Sequence, residues 1–104
     1  MPNNPAHVQV IDNSDKKRFE ARVDGHLAIA EYILSKSRII FTHTEVPKAL
    51  EGQGVGAQLA QTGLDYARQH HLRVMPLCPF IAAYMEDHPE YQDLLMPGFK
   101  LKTK

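Results

Sequence analysis

A single cysteine, Cys78, stands in a chain of 104 residues. That excludes an internal disulfide and every metal site built from several cysteines. Net charge is lacking as well: twelve Lys and Arg balance twelve Asp and Glu. No overall field therefore draws the chain to nucleic acid or to an anionic membrane, and no local basic patch takes its place. No apolar run reaches the length of a signal sequence or a membrane span. Internal repeats and low-complexity segments are missing too. Together these absences indicate a reducing, cytoplasmic setting, with neither nucleic acid nor membrane as partner.

What is present suits one core. Hydrophobic residues make up 43% and charged residues 23%, an ordinary globular mixture, and the length leaves no room for a separate substrate domain. A single domain over 1–104 is expected, with frayed tails at about 1–6 and 100–104. The first half reads as antiparallel strands. Val8 to Ile11 precedes a polar turn at Asp12 to Asp15, and Phe19, Ala21 and Val23 then alternate with Arg18, Glu20 and Arg22, the period of a half-buried strand. Asp24-Gly25 marks a hairpin. Leu27 to Leu34 and Arg38 to Val46 are rich in β-branched and aromatic residues, with Ser35-Lys36-Ser37 between them.

The period changes after Pro47. Val55, Leu59, Ala60, Gly63, Leu64 and Ala67 mark one face of a helix from about Gly54 to His71. A strand at Leu72 to Leu77 follows, then a helix that starts at Pro79, where proline suits the first helical position, and runs to about Asp87. Pro89 interrupts, and Glu90 to Leu95 can add a further helical turn. A meander followed by helix, strand and helix predicts an α+β fold, one mixed twisted sheet with helices packed on it.

Between the last meander strand and the first helix lie Gly52, Gln53, Gly54, Val55 and Gly56. Glycines at alternate positions let the backbone close around an anion, while the first N–H groups of the helix point outward at the positive end of its dipole. A P-loop is excluded, because no Lys-Ser or Lys-Thr pair follows. A dinucleotide fingerprint fits poorly, since Leu59 occupies its third glycine position and antiparallel strands precede the turn.

Three segments carry a wider resemblance: His43-Thr44-Glu45-Val46-Pro47, Gly52 to Gly56, and Pro76-Leu77-Cys78-Pro79-Phe80 with Tyr84 and His88-Pro89-Glu90-Tyr91. With them the chain resembles the GNAT superfamily of N-acetyltransferases, in its very short single-domain branch of the yjdJ type. The resemblance implies an acetyl-CoA (coenzyme A) cofactor whose pyrophosphate rests on the backbone of Gly52, Gln53, Gly54, Val55, Gly56 and Ala57. It also implies a pantetheine arm between the strand ending at Val46 and the strand Leu72 to Leu77. Glu51 departs from the pattern, standing where the superfamily has a basic or amide residue. Backbone N–H groups need no particular side chain.

Acyl transfer to an amine calls for a neutral nucleophile, yet a free lysine with a pKa of about 10.4 is neutral in roughly one molecule per thousand at pH 7. A base or a desolvating pocket is therefore expected. Cys78, at an N-cap-like position before Pro79, is a candidate acyl acceptor or a lining group of the thioester site; the alternative is a small buried apolar residue. The resemblance places Tyr84 where relatives have a tyrosine that protonates the coenzyme A thiolate, with aromatic packing as the alternative. His43 is the natural general base by its ordinary pKa and Glu45 competes with it, both read as sharing a strand face with Ile39 and Phe41. Phe80 is expected in the core. Glu86, Asp87, Glu90 and Asp93 are either an attraction for a cationic amine or a solvated face. The expected activity is acetyl-CoA-dependent N-acetylation of a primary amine, a small metabolite or a protein lysine, by a monomer or weak homodimer. The rival is a non-catalytic acyl-CoA-binding or interaction module on the same fold.

Overall fold

The computed structural model describes residues 8–101. Its first elements are β1 (Val10–Asn13), β2 (Arg18–Val23), β3 (His26–Ser35) and β4 (Arg38–Glu45). These pair antiparallel in sequence order. The β2–β3 turn has Asp24 at φ 51° and Gly25 at φ 79°, the left-handed pair that matches the twist of a two-residue hairpin. β1 lies two residues later than Val8 to Ile11, so Asp12 and Asn13 belong to the strand rather than to the turn. Side-chain bonds explain the shift. Tyr32 Oη donates to Asp12 Oδ1 at 2.5 Å and Asn13 Nδ2 donates to Glu20 Oε2 at 3.0 Å.

After a 3-10 segment at Lys48–Leu50, α1 (Val55–Gln69) crosses the sheet to β5 (Arg73–Pro76), which pairs parallel with β4. α2 (Pro79–Asp87) and a 3-10 segment at Pro89–Leu94 complete the order. The mixed five-stranded sheet with packed helices is the α+β arrangement expected. α1 stops where His71 takes φ 57°, a conformation that cannot continue a helix. No helix among the described residues is long and apolar enough to cross a membrane.

One sheet face carries the core: Phe19, Ala21, Ala28, Ala30, Tyr32, Ile39, Phe41 and Val74 are buried together with Val55, Leu59, Ala60, Leu64 and Ala67 of α1 and Ile81 and Met85 of α2. Alanines on both sides let α1 settle close to the strands. At Gly63 the approach is closest, since an added Cβ would stand 2.9 Å from the Phe41 ring and 3.4 Å from that of Phe19. The last 3-10 segment is tied to α1 by Tyr91 Oη donating to Asp65 Oδ1 at 2.8 Å, and by Arg68 reaching both carboxylate oxygens of Asp93 at 2.9 and 3.0 Å. Asp93 is thus already engaged by a cation of its own chain.

On the opposite face Glu20 is buried, with Arg18 Nε at 2.6 Å. The hydrogen bond from Arg18 holds its carboxyl below the usual carboxylate range, against the upward push of burial. A carboxyl of depressed folded pKa adds stability above its unfolded pKa and loses it as pH falls through the folded value.

Two outcomes follow from this packing. Gly63→Ala gains roughly 1 kcal/mol of helix propensity but overpacks against two buried rings, which costs about 1–3 kcal/mol; urea unfolding should show a lower midpoint with an unchanged slope. Glu20→Gln should lower the melting temperature at pH 7, and the difference from the parent should shrink as pH falls below about 4. An equal loss at both pH values would mean that the carboxylate charge contributes nothing.

Candidate functional site

Pairing of β4 with β5 ends at Phe41↔Pro76. Beyond it Cys78 N donates to Phe41 O at 2.9 Å, and the chain leaves the sheet as α2. β4 continues to Glu45, paired there only with β3. The two parallel strands therefore part here, which makes this end of the sheet the candidate cleft. Its wall is the stretch of β4 after Phe41, whose backbone groups on the β5 side meet no strand among the described residues.

The same stretch holds a β-bulge. Glu31 pairs with His43 while Tyr32 pairs with Phe41, so Thr42 is the extra residue. A bulge re-aims the side chains that follow it. Ala30 and Tyr32 lie in the core and pair with Thr44 and Phe41, which puts Thr44 on the core face. His43 and Glu45 fall on the opposite face, exposed, with His43 Nε2 3.9 Å from Glu45 Oε1. This corrects the expectation that they share a face with Ile39 and Phe41: strict alternation holds only up to the extra residue.

The glycine turn sits at the start of α1. Gly52 has φ 83° and Gly54, the N-cap, φ 78°, so these two glycines are there for backbone conformation. Gly56 answers to packing, because a Cβ on it would stand 2.7 Å from Phe80 Cζ. The first helical bond runs from Gln58 N to Gly54 O. The N–H groups of Val55, Gly56 and Ala57 are thereby left without intrahelical acceptors. Neither a capping side chain nor an acidic residue of the first turn competes for them. Gln53 turns its amide back onto Ala49 O at 3.2 Å, so it offers backbone rather than side chain, and Val46 packs against the core. Glu51 is exposed.

Cys78 is the N-cap of α2, as expected, and its burial is nearly complete at 3% exposure. Its Sγ donates to Thr44 Oγ1 at 3.2 Å, a side-chain link from α2 to β4 beyond the end of strand pairing. Tyr84 stacks on His88 with ring centroids 3.8 Å apart and lies 6.2 Å from Tyr91. Burial, then the negative charges of Glu90 and Asp65, push its phenol up, so it keeps its proton through neutral pH. Phe80, expected in the core, is 42% exposed, and Leu77 is 58% exposed. The expectation for Phe80 followed from the rule that apolar side chains read as core by default, and that for Leu77 went no further than a strand end. Gly56 held the signal for Phe80, since a glycine inside a helix start implies that something approaches closely. The structure thus brings Thr44, Cys78, Phe80 and the α1 N-terminus to one end of the parallel strands, and leaves His43 and Glu45 on the far face.

The chain has relatives in sequence and in fold. The sequence profile described as GCN5-related N-acetyl-transferase matches residues 18–94. The chain is 29% identical over 96 residues to Protein NATD1 of Gallus gallus, covering 86% of each chain. It is 28% identical over 96 residues to Protein NATD1 of Homo sapiens, covering 86% of this chain and 84% of the relative. Among solved structures, the solution structure of a GCN5-like protein from Staphylococcus aureus superposes with a TM-score of 0.69 at 26% identity, covering 91% of this chain and 93% of that one. With the profile spanning most of the sheet, α1 and α2, the chain belongs to the GCN5-related N-acetyltransferase family.

Proposed function

We propose that this protein is an acetyl-CoA-dependent N-acetyltransferase acting on a primary amine, a small metabolite or a protein lysine. The observation that carries the reading is the set of N–H groups on Val55, Gly56 and Ala57 that meet no acceptor among the described residues, beside the edge of β4 that meets no strand among them. Anions bind well at such a helix end, where free donors and the dipole act together. In this reading Gly52 to Ala57 hold the pyrophosphate, and the edge of β4 through Val46 holds the amides of the pantetheine arm. Leu77 and Phe80 offer it apolar surface. Acetyl-CoA supplies the activated acetyl group.

The chain's own groups then have defined tasks. The cleft around Cys78 and Thr44 receives the thioester. Tyr84, protonated at neutral pH, is in the state that a proton donor to the departing thiolate requires. A base role for His43 or Glu45 requires the amine to approach from the outer face of the sheet, where both side chains lie exposed. That placement is also what favours the second reading, a non-catalytic acyl-CoA-binding or interaction module, because no carboxylate or imidazole among the named candidates faces the core side of the cleft. The proposal includes a single domain that acts in the cytoplasm as a monomer or weak homodimer.

Calorimetry with acetyl-CoA tests the cofactor reading, and absence of heat at millimolar ligand would sink it. Ala57→Pro removes one free donor from an exposed first-turn residue whose N–H serves no helical bond. A hydrogen bond to a charged group is worth about 1.5–3 kcal/mol, so acetyl-CoA affinity should fall roughly 10- to 100-fold with the fold intact by circular dichroism. Glu51→Arg should bind acetyl-CoA at least as tightly as the parent, and a large loss would contradict the assignment of the loop. Mass spectrometry of product amines separates an enzyme from a binding module.

A further inference from the structure

We infer that Thr44 is the side-chain donor that holds the acyl carbonyl oxygen, and that Cys78 is the positioning residue that orients it. The inference rests on the acetyl-CoA reading above and gives Thr44 and Cys78 separate tasks that the reading leaves unassigned. Four observations lead to it. Thr44 lies on β4 past the last parallel pair, Phe41↔Pro76, and so inside the split. The bulge at Thr42 turns its side chain to the core face. It is half-buried, open enough to meet a ligand. Finally, its Oγ1 accepts the hydrogen bond of the Cys78 thiol at 3.2 Å.

The last point decides the chemistry. A hydroxyl carries one donor and two acceptor lone pairs, and a thiol carries one weak donor. With the thiol donating, one lone pair of Thr44 is occupied, and its O–H meets no acceptor among the described residues. Cys78 is itself anchored, its N–H on Phe41 O and its carbonyl accepting from Ala82 N at 3.0 Å. The thiol thus holds the hydroxyl from a rigid base, and leaves its O–H available to a ligand that enters between the strands. A preorganised donor at that place stabilises the negative charge that gathers on a carbonyl oxygen as an amine adds to its carbon. The same bond occupies the thiol proton, and Cys78 is itself only 3% exposed, an arrangement suited to orienting a neighbour rather than to attacking a thioester.

The test reads the carbonyl directly, with acetyl-CoA labelled by carbon-13 at the acetyl carbonyl. On binding to the parent protein, the carbonyl stretch should move to lower frequency and the carbon resonance downfield. Thr44→Val should abolish both shifts while leaving the affinity for free coenzyme A within about threefold of the parent. Thr44→Ser should keep them. Cys78→Ser, which still donates to the hydroxyl, should retain the shifts, whereas Cys78→Ala should diminish them. If the parent binds acetyl-CoA and the shifts are the same in the parent, Val and Ser proteins, the role of Thr44 falls and the cofactor reading stands. If the parent does not bind acetyl-CoA, both fall. An acetyl group found on Cys78 after incubation would overturn the positioning role. Should Thr44→Val fail to fold, equal shifts in the parent, Cys78→Ala and Cys78→Ser proteins would still count against the inference.

Discussion

Everything at the candidate site depends on where the parallel pairing of β4 and β5 stops. Up to Phe41↔Pro76 the two strands are held by a regular ladder. One residue further along β4 stands the unpaired Thr42, and two residues further along the other strand stands the N-cap of α2. A β-bulge increases local twist and bends the strand that carries it, and a helix cannot extend a ladder. The two departures together open the sheet from within, without exposing its hydrophobic core to water.

The opening is possible because the other attachments are strong. β4 remains fully backed by β3 to Glu45, so the strand that loses one neighbour keeps the other. α1 lies across the ladder below the split, drawn close by alanines on the sheet and by Gly63 against the rings of Phe41 and Phe19. Its C-terminal half is joined to the final 3-10 segment through Asp65, Arg68, Tyr91 and Asp93. The N-terminal half, by contrast, ends in backbone alone, with glycine at the cap and no side chain to complete it. The helix is thus well fastened at one end and chemically unsatisfied at the other, which is the end that meets the cleft.

Much of the architecture was legible in the sequence. Period-two alternation from Phe19 to Val23, the Asp24-Gly25 turn and the apolar stripe from Val55 to Ala67 all express local geometry through hydrophobic pattern. The glycine turn was legible for the same reason, since its requirement is conformational. The faces of Thr44, His43 and Glu45 were not. Thr42-His43-Thr44-Glu45 contains no apolar residue, so no hydrophobic parity marks the position of an extra residue, and the inversion shows only in the pairing with β3. Phe80 was misplaced by the opposite ambiguity: an aromatic residue next to Ile81 in an apolar stretch looks like core, and its exposure follows from the geometry of a neighbouring helix. β1 was shifted by side-chain bonds to Tyr32 and Glu20, which join residues distant in the chain.

The contact of Phe80 with Gly56 has a consequence for how this site can diversify. The ring occupies the space where a side chain at position 56 would begin, so position 56 gains a side chain only if the ring at position 80 moves or shrinks. A larger residue at 56 demands a smaller one at 80, and the exchange would move apolar surface from α2 to the lip of α1. A related chain that carries a side chain at position 56 is therefore expected to carry a smaller residue at position 80, a linked substitution that comparison of either column by itself would pass over.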